Sequence, residues 1–134
     1  MLEVEVLGLR ARRREVPGPG EVRRLSALAA SAAGVRDGHL AIEFADAARI
    51  AQLNARYRGE PAPTDVLSFP VDGREPLAGE EARELGDVVI CAEHARDVRE
   101  AIVHGVLHLV GFDHETDDGE MLRLQRKLLA SERA

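Results

Sequence analysis

Polar and apolar residues alternate from Leu2 to Leu7, with Leu2, Val4 and Val6 on one side and Glu3 and Glu5 on the other. A period of two is that of a half-buried strand. The segment VPGPG, residues 16–20, breaks the pattern. Beyond it the spacing predicts a helix over 21–33, with Val22, Leu25, Leu28 and Ala29 on one face and Gly34 as its C-terminal stop. A second strand is expected over 39–45. Asp46 is placed to cap a helix running through Ile50 and Leu53 to about Arg56. The turn-rich stretch RGEPAPTD, 58–65, leads into a short strand over 66–69 that Pro70 ends. Residues 71–84 read as a long acidic loop, and connections of that length tend to be mobile or functional. The near-continuous apolar run LGDVVIC, 85–91, suits a strand inside a sheet. A helix is expected from Arg96 or Asp97 to Val110, stopped by Gly111. A last helix is expected from Thr116 or Asp117, where Asp117 and Glu120 have capping-box spacing. Met121, Leu122, Leu124, Leu128 and Leu129 give it an apolar side.

With 134 residues, the chain reads as a single domain over 1–134, and 45% hydrophobic residues are enough for a core. Trp is absent, so aliphatic side chains must fill that core. The net charge of -6 argues against a general nucleic-acid coat, which shows as excess Lys and Arg, but leaves room for a local basic site. A single cysteine, Cys91, forbids an internal disulfide and suits a reducing compartment. No apolar run approaches the ~18 residues of a membrane span, and the N-terminus has no signal-peptide core. The expectation is a cytoplasmic protein without a membrane partner.

Three of the five histidines fall in HGVLHLVGFDH, 104–114. His104 and His108, four apart, share one face of the expected helix and can meet at one ion. Gly111 can turn the chain back so that His114 supplies a third ligand. Three protein nitrogens leave a fourth position for water, which is the catalytic arrangement of zinc. Asp113, Glu115, Asp117 and Asp118 could orient those ligands, although a solvated acidic turn is the favoured reading for most of them. The spacing is also that of metzincin proteases, which carry a glutamate base directly after the first histidine. Gly105 stands there and cannot move a proton, so peptide hydrolysis ranks second.

Further blocks join the histidines. LNARYRGEPAPTDVLSFP (53–70), LGDVVI (85–90) and HGVLHLVGFDH, in that order, resemble the YbeY family of metal-dependent endoribonucleases of ribosomal RNA maturation. The resemblance runs from Ile42 to about Leu129 and more loosely over the first strand and helix. It implies an α+β fold: a small mixed sheet of about four strands with packed helices, and a metal site on a helix of the C-terminal half and the turn after it. It implies one zinc or similar divalent transition-metal ion per chain on His104, His108 and His114. It implies a single-strand-specific endoribonuclease acting in small-subunit RNA 3′ end processing and ribosome quality control, with His104 and Arg58 as catalytic residues. The implied partners are ribosomal RNA and the ribosome or its small subunit. A ribosomal protein or GTPase could join them; DNA would not.

Read without the resemblance, Arg58 is a helix-terminal arginine offsetting the helix dipole. With it, Arg58 becomes a guanidinium that can bind phosphate oxygens in a bidentate manner. Arg56, Arg10, Arg12, Arg13 and Arg14 could extend a local basic surface. Thr64 and Asp65 suit turn chemistry, and Ser68 could line the cleft. Asp87 is open between a polar sheet residue and an orienter of metal ligands. Cys91 and His94 read as structural. Two departures stand out. The stretch between Cys91 and His104 is short for the family, which predicts a shortened or lost helix. Gln125 stands where the family often has Glu, which is expected to matter for packing or partner surfaces. The alternatives are a metallopeptidase or other metallohydrolase, a non-catalytic ribosome-assembly factor with a structural metal, and a plain α+β domain without metal.

Overall fold

The structure is a computed structural model and describes residues 2–8, 16–72, 83–113 and 115–133. The strands are β1 (Leu2–Leu7), β2 (Gly38–Phe44), β3 (Val66–Pro70) and β4 (Glu84–Ile90). The helices are α1 (Pro19–Ala32), α2 (Ala47–Arg58), α3 (Val98–Leu109) and α4 (Glu120–Arg133). The strands form one sheet in the order β1-β2-β4-β3. β1 runs parallel to β2, and β2 to β4, while β3 is antiparallel to β4. The molecule is therefore α+β with a mixed four-stranded sheet, as expected. β4, the most continuously apolar strand, is internal. β3 lies at an edge, which lets Pro70 belong to the strand, since an edge position can spare the missing N–H.

Local chemistry sets the helix boundaries. Pro19 opens α1 two residues earlier than the periodicity predicts, because proline's missing N–H costs nothing in a first turn. α1 closes through Gly34, at φ 79°, with Gly34 N–H donating to Ser31 O and Val35 N–H to Ala30 O. Asp46 caps α2 by accepting from Arg49 N–H at 2.8 Å. Asp97 caps α3, accepting from the Arg99 and Glu100 N–H groups. Between β4 and α3 the chain makes only a 3₁₀ turn, Ala92–His94, in keeping with the shortness of that stretch. α4 begins at Glu120, later than predicted. Asp117 spends its carboxylate on the N–H groups of Gly119 and Met121, and Glu120 reaches back to Asp118 N–H. The two carboxylates thus hold the turn before the helix, and Glu120 is the first helical residue.

The sheet has two unlike faces. Leu40, Ile42, Phe44, Leu85, Val88 and Ile90 join the main core with α1 and α3. Leu67, Val89 and Cys91 pack against Ala45 and Ile50 in a smaller cluster beside α2. Burial raises the pKa of the Cys91 thiol, which fits its structural reading. α4 lies against α3 and, more lightly, α1, and places Met121 and Leu129 in the core. An ion pair between Arg24 and Glu132 links α1 to α4. No helix among the described residues is long and apolar enough to cross a membrane.

Candidate active site

α3 places His104 and His108 one turn apart on a partly exposed face. Their rings meet edge to face, with centroids 4.7 Å apart, and their Nε2 atoms are 3.2 Å apart. Each Nδ1 faces an oxygen. His108 Nδ1 lies 2.9 Å from Phe112 O, and a carbonyl can only accept, so Nδ1 carries the hydrogen. His104 Nδ1 lies 2.9 Å from Gln125 Oε1 and donates in the same way. With each Nδ1 so engaged, the two Nε2 atoms face one another. Nitrogens so placed share either a proton or a metal ion. Two nitrogens bound at ~2.0–2.1 Å with a tetrahedral angle would sit about 3.3 Å apart, so the pair fits a transition-metal ion such as zinc.

The Phe112 carbonyl owes its position to the end of α3. Gly111 N–H donates to His108 O and Phe112 N–H to Leu107 O, the bond pattern of a glycine-terminated helix. Gly111 has φ 102°, a conformation that side chains with a Cβ rarely adopt. The glycine therefore turns the backbone so that one of its own carbonyls orients the preceding histidine. His114, the expected third ligand, lies outside the described residues, as do Arg10, Arg12, Arg13 and Arg14 and residues 73–82 of the acidic loop. Among the described residues no group of three His, Cys, Asp or Glu side chains converges as a metal site.

Gly105 faces away from the histidines and into the sheet. A Cβ there would lie 2.4 Å from Val88 Cγ1. The position has no room for the glutamate that a metzincin-type peptidase needs. Ser68 donates from Oγ to Gly105 O at 3.2 Å, tying the edge strand to this helix.

The histidines open onto a cleft of about 1100 Å³ that runs along β3 between α2, α3 and the start of α4. Arg58, Thr64, Asp65 and Ser68 line it, as do Tyr57, Phe69 and Gln125. Arg58 ends α2 and is exposed. The loop after it is held by Asn54, buried beneath the helix, whose Nδ2 donates to Ala62 O at 2.9 Å. Asp65 Oδ1 accepts from Val66 N–H, and its carbonyl accepts from Cys91 N–H, so turn chemistry accounts for it. Asp87 points away from the helix that carries His104 and His108. It is one residue before Val88, and alternation along β4 turns it to the sheet face opposite α3. There partial burial and the neighbouring Glu84 raise its pKa. His94 is exposed on the 3₁₀ turn and does not line the cleft.

The sequence reading gave Asn54, Tyr57 and Gln125 no place in the site. A signal existed for two of them. Asn54 follows buried Ile50 by four residues, and Gln125 sits four from both Met121 and Leu129, so each is a polar residue on a buried stripe. Gln125 was expected to serve packing or a partner surface; it hydrogen-bonds a histidine of the site instead.

Sequence comparison bears on the same cleft. The endoribonuclease YbeY family matches residues 21–132, a span that includes every described residue of the site. The chain belongs to the YbeY family. A Jannaschia sp. (strain CCS1) protein named endoribonuclease YbeY is 42% identical over 115 residues, covering 70% of this chain and 72% of its own. A protein of the same name from Alkalilimnicola ehrlichii is 39% identical over 144 residues, covering 96% of this chain and 86% of its own. The solution structure of a Thermotoga maritima protein is similar in fold, with a TM-score of 0.55 and 26% identity over 94% of this chain and 86% of that one. YbeY membership makes RNA the substrate class to weigh against the geometry of the histidine pair.

Proposed function

We propose that this protein is a metal-dependent endoribonuclease that hydrolyses phosphodiesters of single-stranded RNA, with His104, His108 and His114 holding one divalent ion, zinc foremost. The observation that carries the reading is the paired orientation of the histidines. Gln125 and the Phe112 carbonyl occupy the two Nδ1 positions, which turns both Nε2 atoms to one point at the cleft wall. An ion held there by the histidines would supply Lewis acidity and lower the pKa of bound water. The rest of the work falls to the chain. Gln125 and Phe112 fix which nitrogen each ring presents. Arg58, across the cleft, binds a phosphate oxygen and stabilises the charge that grows on it. Among the described residues Arg58 makes no ion pair that would compete with that task.

The proposed cellular role rests on the family resemblance. It is maturation of ribosomal RNA, including the 3′ end of the small-subunit RNA, and ribosome quality control in the cytoplasm. The partners are ribosomal RNA and the small subunit, with a ribosomal protein or GTPase to guide the enzyme. The test is elemental analysis of purified protein together with cleavage of single-stranded RNA. Wild type should carry one ion per chain and cleave, and chelation should abolish cleavage. His104→Ala, His108→Ala and His114→Ala should each lose most of the metal while staying folded by circular dichroism. Full metal content in any of the three sinks the three-histidine assignment.

A further inference from the structure

The aromatic residues of this chain are few and are placed unevenly. There are one Tyr, three Phe and no Trp. Phe44 is in the core, and the other three, Tyr57, Phe69 and Phe112, line the histidine cleft. Four large hydrophobic side chains are exposed among the described residues, and Tyr57, Val71 and Leu122 of these also line it. Tyr57 is the one aromatic residue of these four and is 57% exposed. Phe69 braces it, the ring centroids 5.1 Å apart at 66°. The Arg56 guanidinium lies over the ring, 5.4 Å from its centroid.

The charges of the cleft raise a physical problem. Its described lining holds two arginines, Arg58 and Arg96, against six carboxylates. Among the described residues, then, the groove walls offer a polyanion more repulsion than attraction. Groups indifferent to charge gain weight as a source of binding energy there. Nucleobases unpaired in a single strand offer flat faces to aromatic rings, whereas those of a duplex are already stacked and unavailable.

Resting on the endoribonuclease reading, we infer that Tyr57, braced by Phe69 and flanked by Arg56, is a stacking platform for a nucleobase of single-stranded RNA. Tyr57 and Arg58 both line the cleft at the end of α2, so a base on the ring places a neighbouring phosphate within reach of the arginine. β3 lies between this platform and α3, and the strand crosses that sheet edge to reach the histidines. The platform thus sets the preference for single strands and draws no sequence information, because every base has a face to stack.

The fully metallated protein tests this with an oligoribonucleotide whose linkages resist hydrolysis, its abasic counterpart and a duplex of the same sequence. The chain lacks tryptophan, so Tyr57→Trp installs a single reporter that can be excited beyond nucleobase absorption. Its emission should change on adding the single strand and not on adding the duplex. Tyr57→Leu should weaken single-strand binding roughly 5- to 150-fold, the equivalent of ~1–3 kcal/mol per stacked base. Tyr57→Trp should restore it, and the abasic oligonucleotide should bind wild type and Tyr57→Leu alike. With cleavable RNA the Leu variant's defect should fall on KM more than on kcat, at unchanged metal content. RNA cleavage by wild type with no Tyr57→Trp response, or equal affinity of Tyr57→Leu, overturns the platform and leaves the endoribonuclease standing. Failure of metallated wild type to bind or cleave any RNA overturns both.

Discussion

Replacing Gln125 with leucine would remove the amide oxygen that accepts from His104 Nδ1 while keeping a buried side chain of similar size under α4. The ring would lose the contact that fixes its orientation, and metal affinity should fall ~10- to 100-fold, the usual cost of losing an outer partner of a ligating histidine. Gln125→Glu supplies the same acceptor with more negative charge and should bind at least as tightly; titration with a competing chelator measures both. Arg58→Ala addresses the other side of the cleft. Arg58 is not among the proposed ligands, so the variant should keep its metal yet lose ~10²-fold or more in RNA cleavage, by analogy with removed oxyanion donors. Arg58→Lys keeps the charge and loses the paired geometry, so it should fall between. Wild-type cleavage by Arg58→Ala, or loss of its metal, would remove the arginine from this role. At this scale the sequence was uneven. Two histidines four apart on a helix share a face whatever surrounds them, so His104 and His108 were legible. Gln125 was not read as a partner of His104, because the two are 21 residues apart and meet only when α4 docks on α3.

α3 joins the core to the cleft, and one residue makes its inner face fit. Gly105 lets the helix approach β4 so closely that a Cβ would stand 2.4 Å from Val88 Cγ1. Gly105→Ala must push the helix or the valine aside. Overpacking of this kind costs ~1–3 kcal/mol, so the melting temperature should drop by several degrees. The same shift should carry the histidines relative to Ser68 and β3 and lower metal affinity. Gly105→Ala with Val88→Ala makes room for the methyl, so the double variant should recover the metal affinity even where the stability stays low. A single variant that melts like wild type would show that Val88 yields to the methyl at no cost. The helix ends show how far local chemistry is readable. Asp46, Gly34 and Gly111 act within four or five residues of themselves, and each capped or stopped its helix where expected, while Asp97, read as a possible first helical residue, caps α3 instead. Asp117 and Glu120 also bond locally, but to a turn, which delayed α4 to Glu120.

Across the whole molecule, charge is tied together by strand pairing. His39 on β2 contacts Glu84 on β4 through Nδ1 at 2.7 Å and Glu5 on β1 through Nε2 at 3.3 Å. The Glu84 hydrogen bond chiefly, with Glu5 in support, raises the His39 pKa above its ordinary value. Folding then favours the protonated ring. Its contribution is full below the unfolded pKa of ~6.5 and is lost as pH rises through the higher folded value. His39→Gln should therefore melt below wild type in mild acid, and the gap should close with rising pH. A gap constant from mild acid to mild alkali would show that the carboxylates do not hold the proton. Three chain segments far apart in sequence meet in that triad, and the same is true of the cleft, where α2, β3, α3 and α4 converge. Sequence by itself determined what depends on neighbours along the chain. The strands follow from period-two and apolar runs, the helices from periodicity and caps, and the histidine pair from a four-residue step. The motif blocks in their order pointed to the family. Tertiary structure alone decided what depends on distant segments. It set the strand order that puts β3 at an edge, the sheet face that takes Asp87 away from α3, the contact of Gln125 with His104, and the gathering of Tyr57 and Phe69 beside the histidines. The physical reason is that periodicity says which side of an element is buried, but not which other element will bury it.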